Sequence, residues 1–377
     1  MKTIELPFVK KLSYALREKS PLIQVVLGPR QVGKTTGVQQ VITKNKAGNT
    51  YYISADGPLL KAADWIFGHW ELAKSKSENC LLVIDEIQKI EDWSEAIKKL
   101  WDEQKNKKQK LKLVLLGSSS LSIQKGLSES LAGRYQVHKI YHWDFDESKQ
   151  ICSMSWDRFL VYGGYPGSYA FIKKREAWLD YLKDSIINPV IAKDILTQVR
   201  VKSPALFKQC FEIVCSYPAQ EISYTKLLGQ LQDRGNTDLI KYYLELFEAA
   251  FLIKQLFKYS PKKVLSRTSS PKILPLCPAL YSVGLDGDLN KSEFGRSFEL
   301  AIGARLVRLP GALYYWRERN YEVDYVYQYG KKLFGIEVKY GKSLQAKGLM
   351  KFKEKFPHAE TMIITPDSYT QSIKKIL

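Results

Sequence analysis

The stretch LIQVVLGPRQVGKTT, Leu22 to Thr36, runs from a mostly apolar segment straight into a loop of the form GxxxxGK[ST]. The apolar part reads as a buried strand and the residues after Thr36 read as a helix, which is the context this loop needs to cradle a phosphate. Each residue type has a physical task. Gly28 and Gly33 let the backbone turn tightly and aim its N–H groups at a β-phosphate, at the positive end of the following helix. Pro29, Arg30, Gln31 and Val32 complete the cradle between them, and Thr36 closes it. Lys34 is placed to reach the β- and γ-phosphates, while the Thr35 hydroxyl is placed to ligate Mg²⁺. The expectation is a site for ATP with Mg²⁺.

Working outward, short apolar runs alternate with helical lengths as far as Gly117: TYYISAD, CLLVIDEI and LKLVLLGSSS. That alternation predicts an α/β fold with a parallel sheet and crossover helices. Asp85 and Glu86 close the run CLLVIDEI at the carboxyl end of a strand, where open α/β sheets bind ligands. Asp85 is expected to hold the metal through water, and Glu86 to polarise the attacking water. Ser118 or Ser119 would lie near the γ-phosphate; a polar turn after a strand explains these hydroxyls equally well.

A chain of 377 residues exceeds the size of one growing core, so several domains are expected: 1–150, 151–285 and 286–377. The net charge of +19 is expected to attract polyanions such as nucleic acid or anionic membrane, a generically basic protein being the other reading; as nucleic acid, DNA is favoured over RNA. Five scattered cysteines without a CxxC pair point to reduced thiols, and the charged N-terminus and lack of a long apolar run argue against secretion and membrane spanning. A cytoplasmic location follows. The middle region is helical by period, and the order helix, turn, helix, apolar strand between Tyr217 and Leu256 is that of a winged helix or of a small helical packing domain.

Near the C-terminus, KKLFGIEVKYGK puts Glu337 and Lys339 two residues apart, hence on one face of a strand with Cα atoms about 6.6 Å apart. Upstream, YEVDYVYQYG places Glu322 and Asp324 on one face, and a short turn joins the two segments into a hairpin. The hairpin brings Asp324 opposite Glu337 and Lys339, and the helical segment EFGRSFELAIGARLV adds Glu299. Clustered carboxylates repel unless a cation sits among them. This succession resembles the restriction-endonuclease-like nuclease core, which implies Mg²⁺ held by Glu299, Asp324 and Glu337, with Lys339 supporting phosphodiester hydrolysis. A salt-bridged, inactive remnant of that fold is the other reading.

Taken in order, GPRQVGKTT, VIDEIQ, LLGSSS and SLAGRYQVHKI resemble the AAA-type ATPases of bacteria and archaea whose C-terminal half is a domain of unknown function. FLVYGGYPG, the segment around Asp194, and EFGRSFEL, EVDYV and GIEVKYG extend the resemblance over nearly the whole chain. The resemblance implies that Arg134 of LAGR senses or bridges the nucleotide, across a subunit contact in a homo-oligomer. YHWDFDE departs from the family's Pro-Leu-Ser-Phe pattern. Two functional readings stand: an ATPase acting on or with nucleic acid, and an ATP-driven protein switch with an inactive nuclease-like domain. A small-molecule kinase fits VIDE and GSSS less well.

Overall fold

The structure, a computed structural model, describes residues 4–18, 22–44, 49–57, 62–77, 79–105, 107, 110–118, 121–196, 201, 203–231, 236–261, 270–341 and 346–377. The chain divides into two compact units, Met1–Tyr141 with Pro189–Arg200, and His142–Asn188 with Val201–Leu377.

The first unit is built on five parallel strands, β1 (Ile23–Gly28), β2 (Thr50–Ser54), β3 (Leu81–Asp85), β4 (Lys112–Ser118) and β5 (Tyr135–Lys139), in the order β2-β3-β4-β1-β5. Every residue of β1 and β3 is buried, because helices cover both faces of a parallel sheet. Helix α1 (Pro7–Ala15) starts on a proline and buries Phe8, Val9, Leu12 and Ala15, three and four residues apart. Helix α2 (Lys34–Lys44) begins inside the glycine-lysine-threonine loop and turns Gly37 toward Phe8 and Val9. α3 (Ala63–Lys76), α4 (Trp93–Glu103) and α5 (Leu121–Glu129) complete the crossovers. With β1 between β4 and β5, the loop after it lies at the carboxyl edge of the sheet, next to the end of β4 and one strand further from the end of β3.

The second unit opens with α6 (Phe145–Cys152), α7 (Trp156–Tyr162) and α8 (Arg175–Asp180). Asp144 and Glu147 of YHWDFDE form a capping box on α6 and also hold Arg308, at 2.7 and 2.6 Å. Next come α9 (Pro204–Ser216), β6 (Gln220–Glu221), α10 (Tyr224–Gln230), α11 (Thr237–Ala249), β7 (Ile253–Leu256) and β8 (Lys272–Pro275), with the strands antiparallel in the order β6-β8-β7. The helix Lys291–Val307 then leads into β9 (Ala312–Glu318), β10 (Tyr321–Tyr329) and β11 (Lys332–Val338), an antiparallel meander. The helix Lys347–Lys355 crosses over to β12 (Glu360–Ile364), which lies parallel to β11, and the helix Tyr369–Ile376 ends the chain. One core runs through this unit, from Phe145 and Phe159 through Leu256 and Leu274 to Phe298 and Ile336. Among the described residues no helix is long and apolar enough to cross a membrane.

Candidate functional sites

Around the loop, Gly33 has φ +88° and a Cβ on Gly28 would lie 2.4 Å from the Ile140 carbonyl oxygen, so both positions require glycine. Gln31 also takes a left-handed φ of 63°. Val32 is buried, and Pro29 and Arg30 lead from β1 into the turn. No acidic residue stands in the first turn of α2, which leaves its free N–H groups and positive end open to an anion. Lys34 donates to the carbonyls of Gly28 (2.9 Å) and Pro29 (2.6 Å), folded across the mouth of the loop. Burial pulls its ammonium down to about 8, against the attraction of Glu86 and Asp85, so it keeps its proton at neutral pH. Thr36 is exposed at the start of α2.

Thr35 Oγ1 donates to Asp85 Oδ2 at 3.0 Å, which joins the loop to the end of β3. Tyr52 of β2 donates to the same oxygen at 2.7 Å, and the Glu86 amide to Oδ1 at 2.9 Å. Glu86 sits in the left-handed region at φ 55°, a conformation unfavourable to a side chain, and its carboxylate accepts from Gln88 Nε2 at 2.6 Å. Ser118 ends β4 directly beside Gly28 in the ladder; Ser119 lies outside the described residues.

The sequence reading missed one partner here. Arg30 makes a two-pronged pair with Asp194, Nε to Oδ2 at 2.6 Å and Nη2 to Oδ1 at 2.5 Å, and Asp194 is buried on the π-helical turn Val190–Ile195. A fork-to-fork pair of this kind is among the stronger charge-assisted contacts. With Arg30 one-third exposed, a double-mutant cycle over Arg30→Ala and Asp194→Ala in chemical denaturation is expected to give a coupling of about 1 kcal/mol or more. Additive losses would show that the pair holds nothing.

Arg134 stands at the other edge of the sheet. Its carbonyl accepts from the Ile23 amide at 2.9 Å at the start of β1, whereas the phosphate loop follows the end of that strand, roughly 17 Å away at strand spacing. Its guanidinium is paired with Asp102 of α4 at 2.9 and 2.7 Å, and this pairing holds the Asp102 carboxyl well below the usual range. Arg134 does not face the phosphate loop of its own chain.

In the C-terminal half, Tyr325 pairs with Ile336 across β10 and β11, and the same register sets Asp324 opposite Glu337. Glu337 Oε1 accepts from Lys339 Nζ at 2.7 Å, and Asp324 Oδ2 accepts from the Val338 amide at 2.8 Å. Glu299 comes from the helix Lys291–Val307. The sequence leads one to expect Glu299, Asp324 and Glu337 as an Mg²⁺ shell. Among the described residues no group of three or more His, Cys, Asp and Glu is arranged to hold a metal ion.

Lys272 of β8 enters this group; it is 2% exposed and donates to Glu299 Oε1 at 2.9 Å, Glu322 Oε1 at 3.3 Å and the Asp324 carbonyl at 3.4 Å. Burial opposes its charge, yet Glu299, Asp324 and Glu322 more than offset this and raise its affinity for the proton. Burial pushes Glu299 up to about 7, with Lys272 acting against the rise. Asp324 and Glu337 are likewise raised by burial. Lys272 lies in PKILPL, an otherwise apolar run, and that isolated charge was the one available signal.

The order of the parallel sheet and the loop geometry define the first unit as a P-loop NTPase fold. Residues 20–149 match the AAA domain family, residues 153–285 a domain of unknown function (DUF8612), and residues 294–377 a second domain of unknown function (DUF4143). The chain is 26% identical to an uncharacterized protein of Methanocaldococcus jannaschii, over 81% of this chain and 71% of that one. It is 22% identical to an uncharacterized protein of Haemophilus influenzae, over 71% and 68%. Among solved structures, a Thermotoga maritima RuvB variant aligns with TM-score 0.35 and 17% identity, over 68% of this chain and 92% of that one. AMPPCP-bound DnaA from Aquifex aeolicus aligns with TM-score 0.34 and 13% identity, over 66% and 89%.

Proposed function

We propose that the protein is an ATPase that binds ATP with Mg²⁺ and acts on or with nucleic acid. Its organisation in this reading is an AAA-type domain over 1–150, a helical and winged-helix region over 151–285, and a restriction-endonuclease-like domain over 286–377. The observation that carries the ATPase reading is the convergence of Lys34, Thr35, Asp85 and Glu86 at one edge of the parallel sheet. The metal would be held by Thr35, with Asp85 behind it, and would neutralise charge developing on the phosphates. Lys34 leaves its two carbonyls for the β- and γ-phosphates. Glu86, fixed by Gln88, orients the attacking water, and Ser118 lies by position beside the loop. Arg134 acts on the nucleotide of a neighbouring copy, which makes a homo-oligomer the working assembly.

Two features support nucleic acid as partner: the +19 charge, and the succession α9, β6, α10, α11, β7, β8, which is the element order of a winged helix. Duplex DNA binding is expected to weaken by about 10³-fold or more between 50 and 200 mM salt if six or more phosphates are contacted. Fluorescence anisotropy with duplex, single-stranded and RNA probes measures this, and no binding to any of them at low salt would reject the reading. One observation favours a protein partner instead. The outward residues of α11 are Asp238, Lys241, Tyr242 and Glu245, a face of mixed sign that a phosphate backbone would not select.

A further inference from the structure

A buried lysine among carboxylates is costly unless every donor finds an acceptor. Lys272 meets that condition. Its ammonium has three donors, and three oxygens receive them: Glu299 Oε1, Glu322 Oε1 and the Asp324 carbonyl. These are two carboxylates and a backbone carbonyl, supplied by a helix and a strand, which is the kind of oxygen set that a hard divalent ion takes. The charge is of the same sign and stands in the same place. A second cation bound to those oxygens would lie against the ammonium, which is itself only 2% exposed, and the two like charges would repel.

We propose that the Lys272 ammonium is the resident cation of this carboxylate centre, so that the C-terminal half takes up no divalent ion there while Lys272 is in place. The inference rests on and deepens the nuclease-like reading of 286–377: a centre of this kind without its metal does not cut a phosphodiester. Glu337 keeps one buried oxygen, Oε2, with no hydrogen-bond partner, and the other is held by Lys339. Among the described residues, removal of Lys272 would leave Glu299, Glu322, Asp324 and Glu337 with Lys339 as the cation paired within the group. Such a centre should draw a divalent ion.

The test is Mn²⁺ binding to the nucleotide-free full chain, followed by electron paramagnetic resonance. Wild type and Glu337→Gln are expected to bind the same number of ions, since neither holds one at this centre. Lys272→Ala should gain one Mn²⁺ per chain, and Lys272→Ala combined with Glu337→Gln should lose that gain. If wild type binds one ion more than Glu337→Gln, or if folded Lys272→Ala gains none, the inference is overturned. Should Lys272→Ala fail to fold, the comparison of wild type with Glu337→Gln decides alone: equal counts uphold the inference and unequal counts reject it. No nucleic acid enters the experiment, so its outcome is separate from that of the DNA-binding test.

Discussion

Replacing Lys34 with alanine is expected to weaken nucleotide binding by a factor of about 30 to several thousand and, with it, to abolish turnover. In the proposed reading Lys34 meets the β- and γ-phosphates, and its ammonium lies at the mouth of the loop on the Gly28 and Pro29 carbonyls. Truncating one member of a buried, hydrogen-bonded charge pair costs about 2–5 kcal/mol. That corresponds to a factor of about 30 to several thousand in affinity. Glu86→Gln should behave differently: it keeps the shape and the contact with Gln88, so ATP still binds, and only the orientation of water is lost. Calorimetric titration with ATP, set beside phosphate release, separates the two outcomes. Wild-type affinity in Lys34→Ala would mean that the loop does not hold the triphosphate.

The second large effect is expected at Arg134. It lies at the edge of the sheet away from the phosphate loop, so the proposed role is on the nucleotide of a neighbouring copy. Arginines that serve in this way contribute about 10³ to 10⁵ in rate. Arg134→Ala should therefore lose hydrolysis while keeping nucleotide affinity. Because Arg134 is also bound to Asp102, Asp102→Ala serves as the control: it breaks the same ion pair and leaves the guanidinium present. Mixing Arg134→Ala with Lys34→Ala under exchange should restore activity, since one copy brings the intact loop and the other the intact arginine. No recovery would reject the arrangement across copies, and undiminished hydrolysis by Arg134→Ala alone would reject any role in hydrolysis.

What the sequence determined by itself was local. The spacing of Gly28, Gly33, Lys34 and Thr35, set between an apolar run and a helix, predicted the loop and the parallel sheet around it, because strand, turn and helix each leave their period within a few residues. Alternation likewise put Glu337 and Lys339 on one face, where they form a 2.7 Å pair. Tertiary structure decided the partners. Asp194 reaches Arg30 from 164 residues away, and Lys272 enters the carboxylate group 27 residues before Glu299 and 52 before Asp324. Neither leaves a period or a motif, since a charged contact across such distances depends on how packed elements are placed and not on the spacing of neighbours. The same holds for Arg134: the short segment LAGR names the residue, but only the ladder between β1 and β5 shows which edge of the sheet it occupies. Among the clustered carboxylates stands a lysine, from a strand whose sequence reads as almost wholly apolar.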